Sequence, residues 1–221
     1  MIINNLASYL DYADHNANVT TQRVEHICKE VLKHKFHSAF ANPCYVSLMK
    51  KLVKDKAHVG TVIAFPLGQE AMITKINSLE EVLRDGANIV DIVLNIGLIK
   101  EHHWKKTAQE METLLEVARN INKKAIIQFI GETGYLSDDE IQTLAKLMVK
   151  VGAPFFKTCT GFGPRGVTLK DIKLIRNAVG NDIRIKAAGG IGTHEKAVKF
   201  IVAGADEIGT SHAVDIIKYN R

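Results

Sequence analysis

The feature that most restricts the fold of this chain is the alternation of eight short apolar segments with longer segments of helical periodicity. The apolar segments have the length of strands and are nearly continuous in apolar residues, as is typical of a parallel sheet covered on both faces. They lie around Tyr9 and at residues 37–41, 59–65, 89–94, 125–130, 154–158, 183–188 and 206–209. A strand-then-helix unit therefore repeats eight times.

The segments between the apolar runs place their apolar side chains on one helical face. These faces are formed by Val24, Ile27, Cys28, Val31 and Leu32, by Met111, Leu114, Leu115 and Ala118, and by Ile141, Leu144, Ala145 and Met148. Capping-box pairs predict three helix starts, because a Ser or Thr followed three residues later by an acid satisfies free N–H groups. The pairs are Ser78 with Glu81, Ser137 with Glu140, and Thr168 with Asp171.

A weak internal repeat supports this organisation. The glycines of Gly-Ala pairs at 86–87, 152–153 and 204–205 each end a helical segment and lead into a strand. A helix C-terminus often needs positive φ, which glycine adopts without steric penalty. Five residues beyond these glycines lie Asp91, Lys157 and Gly209. We therefore expect an acid, an amine and a bare backbone at the same depth of the sheet.

Eight such units without a linker or a shift in composition predict a single α/β domain over residues 1–221, a (β/α)8 TIM barrel. A doubly wound open sheet is the alternative fold. In the barrel, function resides at the C-terminal ends of the strands and in the loops that follow them.

Composition excludes several functional classes. Of the 221 residues, 46% are hydrophobic and 24% charged, which is too apolar for a disordered chain. The net charge of +5 suits an anionic ligand but also an ordinary solvated surface. Because basic runs of five or more residues are absent from the sequence, we expect no nucleic-acid partner.

Targeting signals and cysteine usage indicate where the protein resides. The N-terminus lacks the features of a signal peptide, and the longest apolar stretches are too short for a membrane helix, so we expect no membrane partner. Cys28, Cys44 and Cys159 cannot pair evenly and lack metal-ligand spacing. We read them as reduced thiols of a cytoplasmic protein. The histidines also lack metal-ligand spacing, so we expect no metal.

Two lysines stand near the ends of consecutive apolar strands, Lys157 in the sixth and Lys186 in the seventh. Either one alone could extend its amine to solvent or pair with a carboxylate. Two inward lysines on neighbouring strands would lie within several Å of each other, since strands are about 4.8 Å apart. Their mutual repulsion and their burial should lower the pKa of at least one amine. A neutral amine can attack an aldehyde or ketone and form a Schiff base.

Asp91 interrupts an apolar strand in the middle of the sheet. A buried carboxylate needs a partner, and a lysine across the barrel is the available candidate. The residue could serve only as a structural ion pair. The functional alternative is that Asp91 relays protons while a carbinolamine forms and dehydrates.

Two glycine-bearing segments predict a phosphate site. Gly189 and Gly190 follow the seventh strand, while Gly209 and Ser211 lie at the end of the eighth. Backbone N–H groups of such loops approach anions closely, and the loops after strands seven and eight are the usual phosphate site of a TIM barrel. Tight turns also need glycine, which is the structural alternative. Residues 161–166 are predicted to form a flexible loop able to close over a substrate, in which Arg165 could meet a phosphate.

Six segments together resemble a known family. They are residues 40–43 (FANP), 61–68 (TVIAFPLG), 90–97 (VDIVLNIG), 132–136 (ETGYL), 156–163 (FKTCTGFG) and 186–191 (KAAGGI). In this order, and over nearly the whole chain, they resemble deoxyribose-phosphate aldolase of the Schiff-base class. The resemblance implies reversible cleavage of 2-deoxy-D-ribose 5-phosphate into D-glyceraldehyde 3-phosphate and acetaldehyde, in deoxynucleoside breakdown.

The resemblance also implies residue roles. Lys157 is the Schiff-base former, Lys186 the lysine that lowers its pKa, and Asp91 the proton relay. Asp11, Gly161 and Phe162 are expected to contact the substrate, together with the phosphate-loop residues named above. No metal or organic cofactor is required, because the iminium takes up the electrons of the cleaved bond. The expected partners are the phosphorylated sugar, acetaldehyde and a second subunit in a homodimer.

The chain departs from the family pattern at several positions. Where the family usually has Asp-His-Thr at the end of the first strand, this chain has Asp11, Tyr12 and Ala13, so a contact to a substrate hydroxyl is missing at Ala13. Gly192 replaces a common Arg, and His212 replaces a Ser. Tyr219 does not clearly align with a C-terminal Tyr that assists proton transfer in some members.

Two other functions remain open from the sequence. A phospho-sugar isomerase on the same barrel would use a carboxylate or His base and would not need two strand-end lysines. A non-catalytic binder of phosphorylated metabolites would explain the departures at Tyr12, Ala13 and Gly192.

Overall fold

The computed structural model describes residue 3 and residues 5–218. Its eight parallel strands form a closed barrel in chain order. The strands are β1 (Leu10–Ala13), β2 (Ser38–Phe40), β3 (His58–Ile63), β4 (Ile89–Val93), β5 (Ile126–Ile130), β6 (Phe155–Lys157), β7 (Arg184–Ala188) and β8 (Glu207–Thr210). Leu10 pairs with Ile208, which joins the first strand to the last. The predicted TIM barrel is therefore confirmed, and the open sheet is excluded.

The described part of the chain has nine α-helices. They are α1 (Thr21–His34), α2 (Val46–Val53), α3 (Met72–Arg84), α4 (Ile96–Lys100), α5 (Trp104–Ile121), α6 (Asp138–Lys150), α7 (Leu169–Val179), α8 (His194–Val202) and α9 (Ala213–Lys218). Short 3-10 turns lie at Leu6–Tyr9, Pro43–Tyr45 and Thr133–Tyr135. Each predicted apolar helix face contributes side chains to the core between helices and barrel. No helix in the described ranges is both long and apolar enough to span a membrane.

The predicted helix starts are right at two places and wrong at one. Capping boxes with both hydrogen bonds begin α6 at Ser137 and α7 at Thr168. Ser78 instead lies inside α3, which begins at Met72 without a side-chain cap. The first turn of α3 is held by tertiary contacts, since the buried Lys75 amine donates to the carbonyl oxygens of Gly68 and Val93. Tertiary contacts thus replace a local capping signal.

The Gly-Ala repeat marks helix ends as predicted. Gly86, Gly152 and Gly204 have φ values of 103°, 73° and 113°. The residues five positions beyond these glycines also lie at the same depth of the barrel, as expected. Lys157 pairs in register with Ile130, and Ile130 pairs with Val93, which lies two residues beyond Asp91. Gly209 is shifted in the same way, because it pairs with Ala188, two residues beyond Lys186, the partner of Lys157. The strands of a barrel are tilted, so residues of one layer on alternate strands differ by two in register, and Asp91, Lys157 and Gly209 share a layer.

One aromatic side chain fills the barrel interior beneath the site. Phe40 of β2 is fully buried. Gly60 of β3 makes room for it, because a Cβ at this position would lie only 2.2 Å from the Phe40 ring. The ring centroid lies 3.8 Å from the Lys186 Nζ atom, a cation–π contact. The β2–β3 packing therefore supports a charged group of β7.

Candidate active site

A cavity of about 450 Å³ opens at the C-terminal ends of the strands. Polar groups from β4, β6 and β7 reach it, namely Asp91, Lys157 and Lys186. In an α/β barrel this end of the sheet is where loops and strand ends combine into a site. The fold thus brings the three predicted chemical groups into one cavity.

The two lysines meet at a single carboxylate oxygen. Lys157 and Lys186 are register partners on β6 and β7. The Lys157 Nζ lies 2.6 Å from the Asp91 Oδ2, and the Lys186 Nζ lies 3.1 Å from the same oxygen. Asp91 is fully buried, and the two lysines are nearly so. Both amines therefore point inward, and Asp91 has the lysine partner that the sequence predicts.

The pKa values of the two lysines move in opposite directions. Burial lowers the pKa of Lys157, and the charge of Lys186 lowers it further, against the opposing effect of Asp91. Burial also disfavours the charged form of Lys186, but Asp11 and then Asp91 outweigh it, so the pKa of Lys186 is raised. Lys157 is therefore the amine that loses its proton more readily.

Asp11 lies behind Lys186 and does not line the cavity. Its Oδ2 is 2.7 Å from the Lys186 Nζ, and its other oxygen accepts from His37 Nδ1 at 2.8 Å and from the Ser38 hydroxyl. The side chain is fully buried. The structure therefore differs from the expected contact between Asp11 and the substrate, because Lys186 lies between the Asp11 carboxylate and the cavity. A carboxylate at this place stabilises the protonated form of Lys186.

Asp11, His37 and Glu207 bring potential metal-ligand atoms within 4.8 Å of one another. The sequence shows no ligand spacing here, because the three residues come from β1, the segment before β2, and β8. The Lys186 ammonium already lies against Asp11. Burial and the charge of Asp11 raise the pKa of Glu207 to about 7. Asp11 and His37 are hydrogen-bonded to each other, and Glu207 accepts from Gln128, so the three residues form a charged cluster below the cavity.

The predicted phosphate residues line the cavity at the β7 and β8 end. Gly189 and Gly190 have positive φ values of 98° and 78°, which only glycine adopts without strain. Gly209 and Ser211 lie on the same side. Thr193 caps α8, whose N-terminus favours negative charge. The arrangement suits an anion.

Sequence reasoning missed Lys196, which lines the same end of the cavity. Its Nζ donates to the carbonyl oxygen of Gly190 at 3.3 Å, so an exposed cation lies beside the glycine loop. The available signal was its position, three residues after the Thr193 cap and therefore in the first turn of α8. A cation in the first turn opposes the helix dipole, which is unusual unless an anion is nearby.

The loop at residues 161–166 is tied down at one end. Phe162 lines the cavity and packs edge-on against Phe65, with ring centroids 5.4 Å apart. Gly161 also lines the cavity and has φ 90°. Arg165 does not point to the phosphate end, because its guanidinium holds the Asp171 carboxylate with contacts of 2.6 and 3.1 Å. Arg165 therefore anchors the loop to α7.

The departures from the family pattern have clear positions. Tyr12 is buried and its hydroxyl accepts from Arg23 at 3.1 Å, whereas Ala13 lines the cavity. Gly192 and His212 are neighbours in the cavity wall, and a Cβ on Gly192 would be 3.5 Å from the imidazole. Tyr219 lies outside the described residues.

His15 is a second cavity residue that the motif analysis left without a role. It follows β1 and packs against Phe65, with ring centroids 5.3 Å apart. Sequence spacing gives no signal for it, because its neighbours in the cavity come from distant parts of the chain.

A closed (β/α)8 barrel with a buried amine in its C-terminal cavity defines an enzyme site suited to carbonyl chemistry. Comparison with known proteins identifies the family. Residues 6–219 match the DeoC/LacD family aldolase. The chain belongs to this family and is an aldolase, a carbon–carbon lyase. The resemblance found in the motifs is confirmed, and the isomerase and the non-catalytic binder are set aside.

Individual relatives agree with this assignment. The deoxyribose-phosphate aldolase of Caldicellulosiruptor saccharolyticus is 40% identical over 213 residues, covering 96% of each chain. Deoxyribose-phosphate aldolase 1 of Bacillus licheniformis is 39% identical over 214 residues, covering 96% of this chain and 95% of the relative.

Solved structures share the architecture. The aldolase QR15 superposes with a TM-score of 0.92 at 32% identity, covering 98% of this chain and 96% of that one. A deoxyribose phosphate aldolase from Aeropyrum pernix, described as tetrameric, gives a TM-score of 0.89 at 27% identity, covering 96% and 89% of the two chains.

Proposed function

We propose that this aldolase reversibly cleaves 2-deoxy-D-ribose 5-phosphate into D-glyceraldehyde 3-phosphate and acetaldehyde through a Schiff base on Lys157, in the breakdown of deoxyribose phosphates. The observation that carries the proposal is the Lys157 amine. It lines the cavity, shares Asp91 with Lys186, and has a pKa lowered first by burial and then by the Lys186 charge. Relatives named deoxyribose-phosphate aldolase at 39–40% identity support the substrate.

The first step is attack of the neutral Lys157 amine on the C1 aldehyde of the open-chain sugar. Lys186 stays protonated because Asp11 and Asp91 hold its charge, so it does not compete as a nucleophile. Asp91 accepts from both amines and is placed to pass a proton to the carbinolamine oxygen. Loss of water from the carbinolamine then leaves an iminium on Lys157.

Cleavage breaks the bond between C2 and C3. The C3 hydroxyl gives its proton to Asp91, and its oxygen becomes the aldehyde oxygen of glyceraldehyde 3-phosphate. The electron pair of the broken bond moves to the iminium nitrogen and leaves an enamine. Asp91 returns the proton to C2, and water then releases acetaldehyde from the resulting iminium. The iminium on Lys157 takes up the electron pair of the broken bond, so this reaction requires no metal or organic cofactor.

The other end of the cavity supplies the anion site. Gly189, Gly190, Gly209 and Ser211 are proposed to hold the 5-phosphate, and the ammonium of Lys196 adds a positive charge. Gly161 and Phe162 also line the cavity. The enzyme is proposed to act in the cytoplasm, where its thiols at Cys28, Cys44 and Cys159 stay unpaired, and to form a homodimer.

Borohydride trapping tests the proposal. The protein is incubated with 2-deoxyribose 5-phosphate, reduced and mapped by peptide mass spectrometry. A two-carbon or five-carbon adduct is expected on Lys157, and Lys157→Met should abolish both the adduct and acetaldehyde release. Lys75 is an internal control, since its amine is also buried but lies outside this cavity. The Lys75 Nζ forms an ion pair with the Glu110 carboxylate at 2.5 Å. An adduct on another lysine, or turnover that survives Lys157→Met, would refute the proposal.

A further inference from the structure

His15 stands in the catalytic cavity as a polar group that the mechanism above does not use. It lines the same cavity as Asp91, Lys157 and Lys186. Its ring is held between two aromatic side chains, with centroids 6.3 Å from the Phe40 ring and 5.3 Å from the Phe65 ring. Packing of this kind fixes the plane of the imidazole.

No hydrogen bond of normal geometry reaches either ring nitrogen of His15 among residues 5–218, where the Asn42 side chain lies near the ring and both nitrogens are buried. Other histidines of the chain contrast with it, since His34, His37 and His102 each lie within 3.2 Å of a carboxylate oxygen. A buried donor that makes no hydrogen bond lowers the stability of the folded protein. A group kept in this state beside reactive amines has its hydrogen-bonding capacity available for a ligand.

The imidazole of His15 is neutral throughout the pH range in which the enzyme would work. Burial, and then the charges of Lys157 and Lys186, lower its pKa to about 3, while Asp14 and the Asn42 side chain act weakly in the other direction. A neutral imidazole keeps one N–H donor and one lone pair. Neutral histidines of this kind can polarise a carbonyl in an enzyme site.

We propose that His15 is a further catalytic residue, whose neutral N–H group donates a hydrogen bond to the C3 oxygen of the substrate. The inference rests on the proposed function. As the C2–C3 bond breaks, its electrons move to the iminium nitrogen and the hydroxyl proton moves to Asp91. The C3 oxygen carries partial negative charge until its carbonyl has formed, and a preorganised donor stabilises that charge. His15 keeps its own proton throughout the step.

A pair of variants separates the donor from the ring. His15→Phe keeps an aromatic ring between Phe40 and Phe65 but removes the donor, and His15→Gln supplies a side-chain N–H. We expect His15→Phe to lower kcat for cleavage about 100-fold, as loss of one oxyanion donor does. The kcat of His15→Gln should exceed that of His15→Phe by at least about fivefold, which is one third of the loss on a logarithmic scale. The exposed His26 on α1 provides the control His26→Phe, which should cleave at the wild-type rate.

A half-reaction without a C3 oxygen locates the effect. Acetaldehyde alone forms the Lys157 enamine and exchanges its methyl protons with D₂O, which NMR follows. The exchange rate of His15→Phe should stay within about twofold of the wild-type rate, because acetaldehyde has no C3 oxygen for His15 to stabilise. Unchanged cleavage in His15→Phe, or equal losses of cleavage and exchange, would overturn the role of His15. His15→Leu, also without a donor, replaces His15→Phe if that variant does not fold, and the same outcomes apply.

The experiment distinguishes the two proposals. If wild-type protein gives no Lys157 adduct with borohydride, the proposed function fails. If the adduct forms and His15→Phe cleaves at the wild-type rate, only the inference on His15 fails.

Discussion

Lys157 and Lys186 are register partners that donate to one oxygen of Asp91, yet their pKa values are shifted in opposite directions. The difference arises from the second carboxylate. Asp11 lies 2.7 Å from Lys186 and behind it, whereas Asp91 is the only ion-pair partner of Lys157 within the described residues. Lys186 therefore has two carboxylates and stays charged, and burial acts on Lys157 with less opposition. Asp11 thus helps decide which amine can become the nucleophile.

Replacing Lys186 should move the pH dependence of adduct formation upward. In Lys186→Leu the positive charge that opposes protonation of Lys157 is gone, so the pKa of Lys157 rises. Less neutral amine is then present at any given pH. We expect the midpoint of borohydride trapping with acetaldehyde, measured from pH 5 to 10, to rise by about one unit or more.

The variant also leaves Asp11 without its charged partner, which destabilises the protein by about 3–5 kcal/mol. The double variant Lys186→Leu with Asp11→Asn removes both charges and should regain much of the loss in thermal unfolding. Because the charge of Asp11 itself raises the pKa of Lys157, the trapping profile of the double variant is compared with that of Asp11→Asn alone. Identical profiles in these two variants, or in wild type and Lys186→Leu, would show that Lys186 does not tune Lys157.

Replacing Lys196 should weaken binding of phosphorylated substrates selectively. Its amine is exposed and donates to Gly190, in the loop where the phosphate is proposed to bind. For Lys196→Gln we expect KM for 2-deoxyribose 5-phosphate to rise about fivefold, a modest effect because solvent screens an exposed charge. KM for unphosphorylated 2-deoxyribose should not change. Lys199→Gln on the same helix, where Lys199 pairs with Glu195 at 2.6 Å, is the control. Equal changes for both substrates would place the phosphate elsewhere.

Glu207 should make the protein less stable as pH rises toward neutrality. Burial and Asp11 raise its folded pKa from 4.5 to about 7. Between these values the folded state binds more protons than the unfolded state, so the free energy of unfolding falls with increasing pH. Glu207→Gln does not titrate and can still accept from Gln128, which donates to Glu207 at 2.8 Å.

The free energy of unfolding of Glu207→Gln relative to wild type should therefore grow by about 3 kcal/mol from pH 4.5 to pH 8. Urea unfolding at several pH values measures this difference, and Glu25→Gln at an exposed position of α1 should show none. A constant difference across the pH range would mean that Glu207 is not perturbed.

The sequence predicted the barrel because its determinants are local. Continuous apolar strands, one-sided helices and glycines at helix ends are each visible within a few residues, as at Gly86 and Gly152. Lys157, Lys186 and Asp91 could be found because charged groups stand out within apolar strands. Their exact meeting point could not, since it depends on the stagger of the strands.

Residues whose role depends on distant packing were not recoverable. Asp11 lies behind Lys186 because β1 and β7 flank β8 in the closed barrel, a relationship without a local signal. His15 reaches the cavity by packing against Phe40 and Phe65, which follow it by 25 and 50 positions. In both cases the side chain is an ordinary polar residue in sequence and becomes unusual only through its three-dimensional neighbours.

Adding a methyl group at Gly209 should disturb Lys186 directly. A Cβ there would lie 3.1 Å from the Lys186 Cε and 3.3 Å from the Ala188 Cβ, which is tighter than normal packing. Lys186 cannot move aside easily, because Asp11 and Asp91 hold its amine. For Gly209→Ala we expect destabilisation of about 1–3 kcal/mol, seen as a lower Tm. If the added methyl group moves the Lys186 amine away from Lys157, the pKa of Lys157 rises and so does the pH midpoint of borohydride trapping. The rise should be smaller than in Lys186→Leu, because the Lys186 charge is still present.

Gly192→Ala is the matched control, since it lies in the same cavity wall and its added methyl would contact only His212 at 3.5 Å or more. Its Tm and trapping profile should match wild type. If Gly209→Ala lowers Tm but leaves the trapping profile unchanged, Lys186 keeps its position relative to Lys157 and Gly209 matters for packing alone. If both variants behave like wild type, the side chains around Gly209 can shift to accept a methyl group, and Gly209 is not needed to position Lys186.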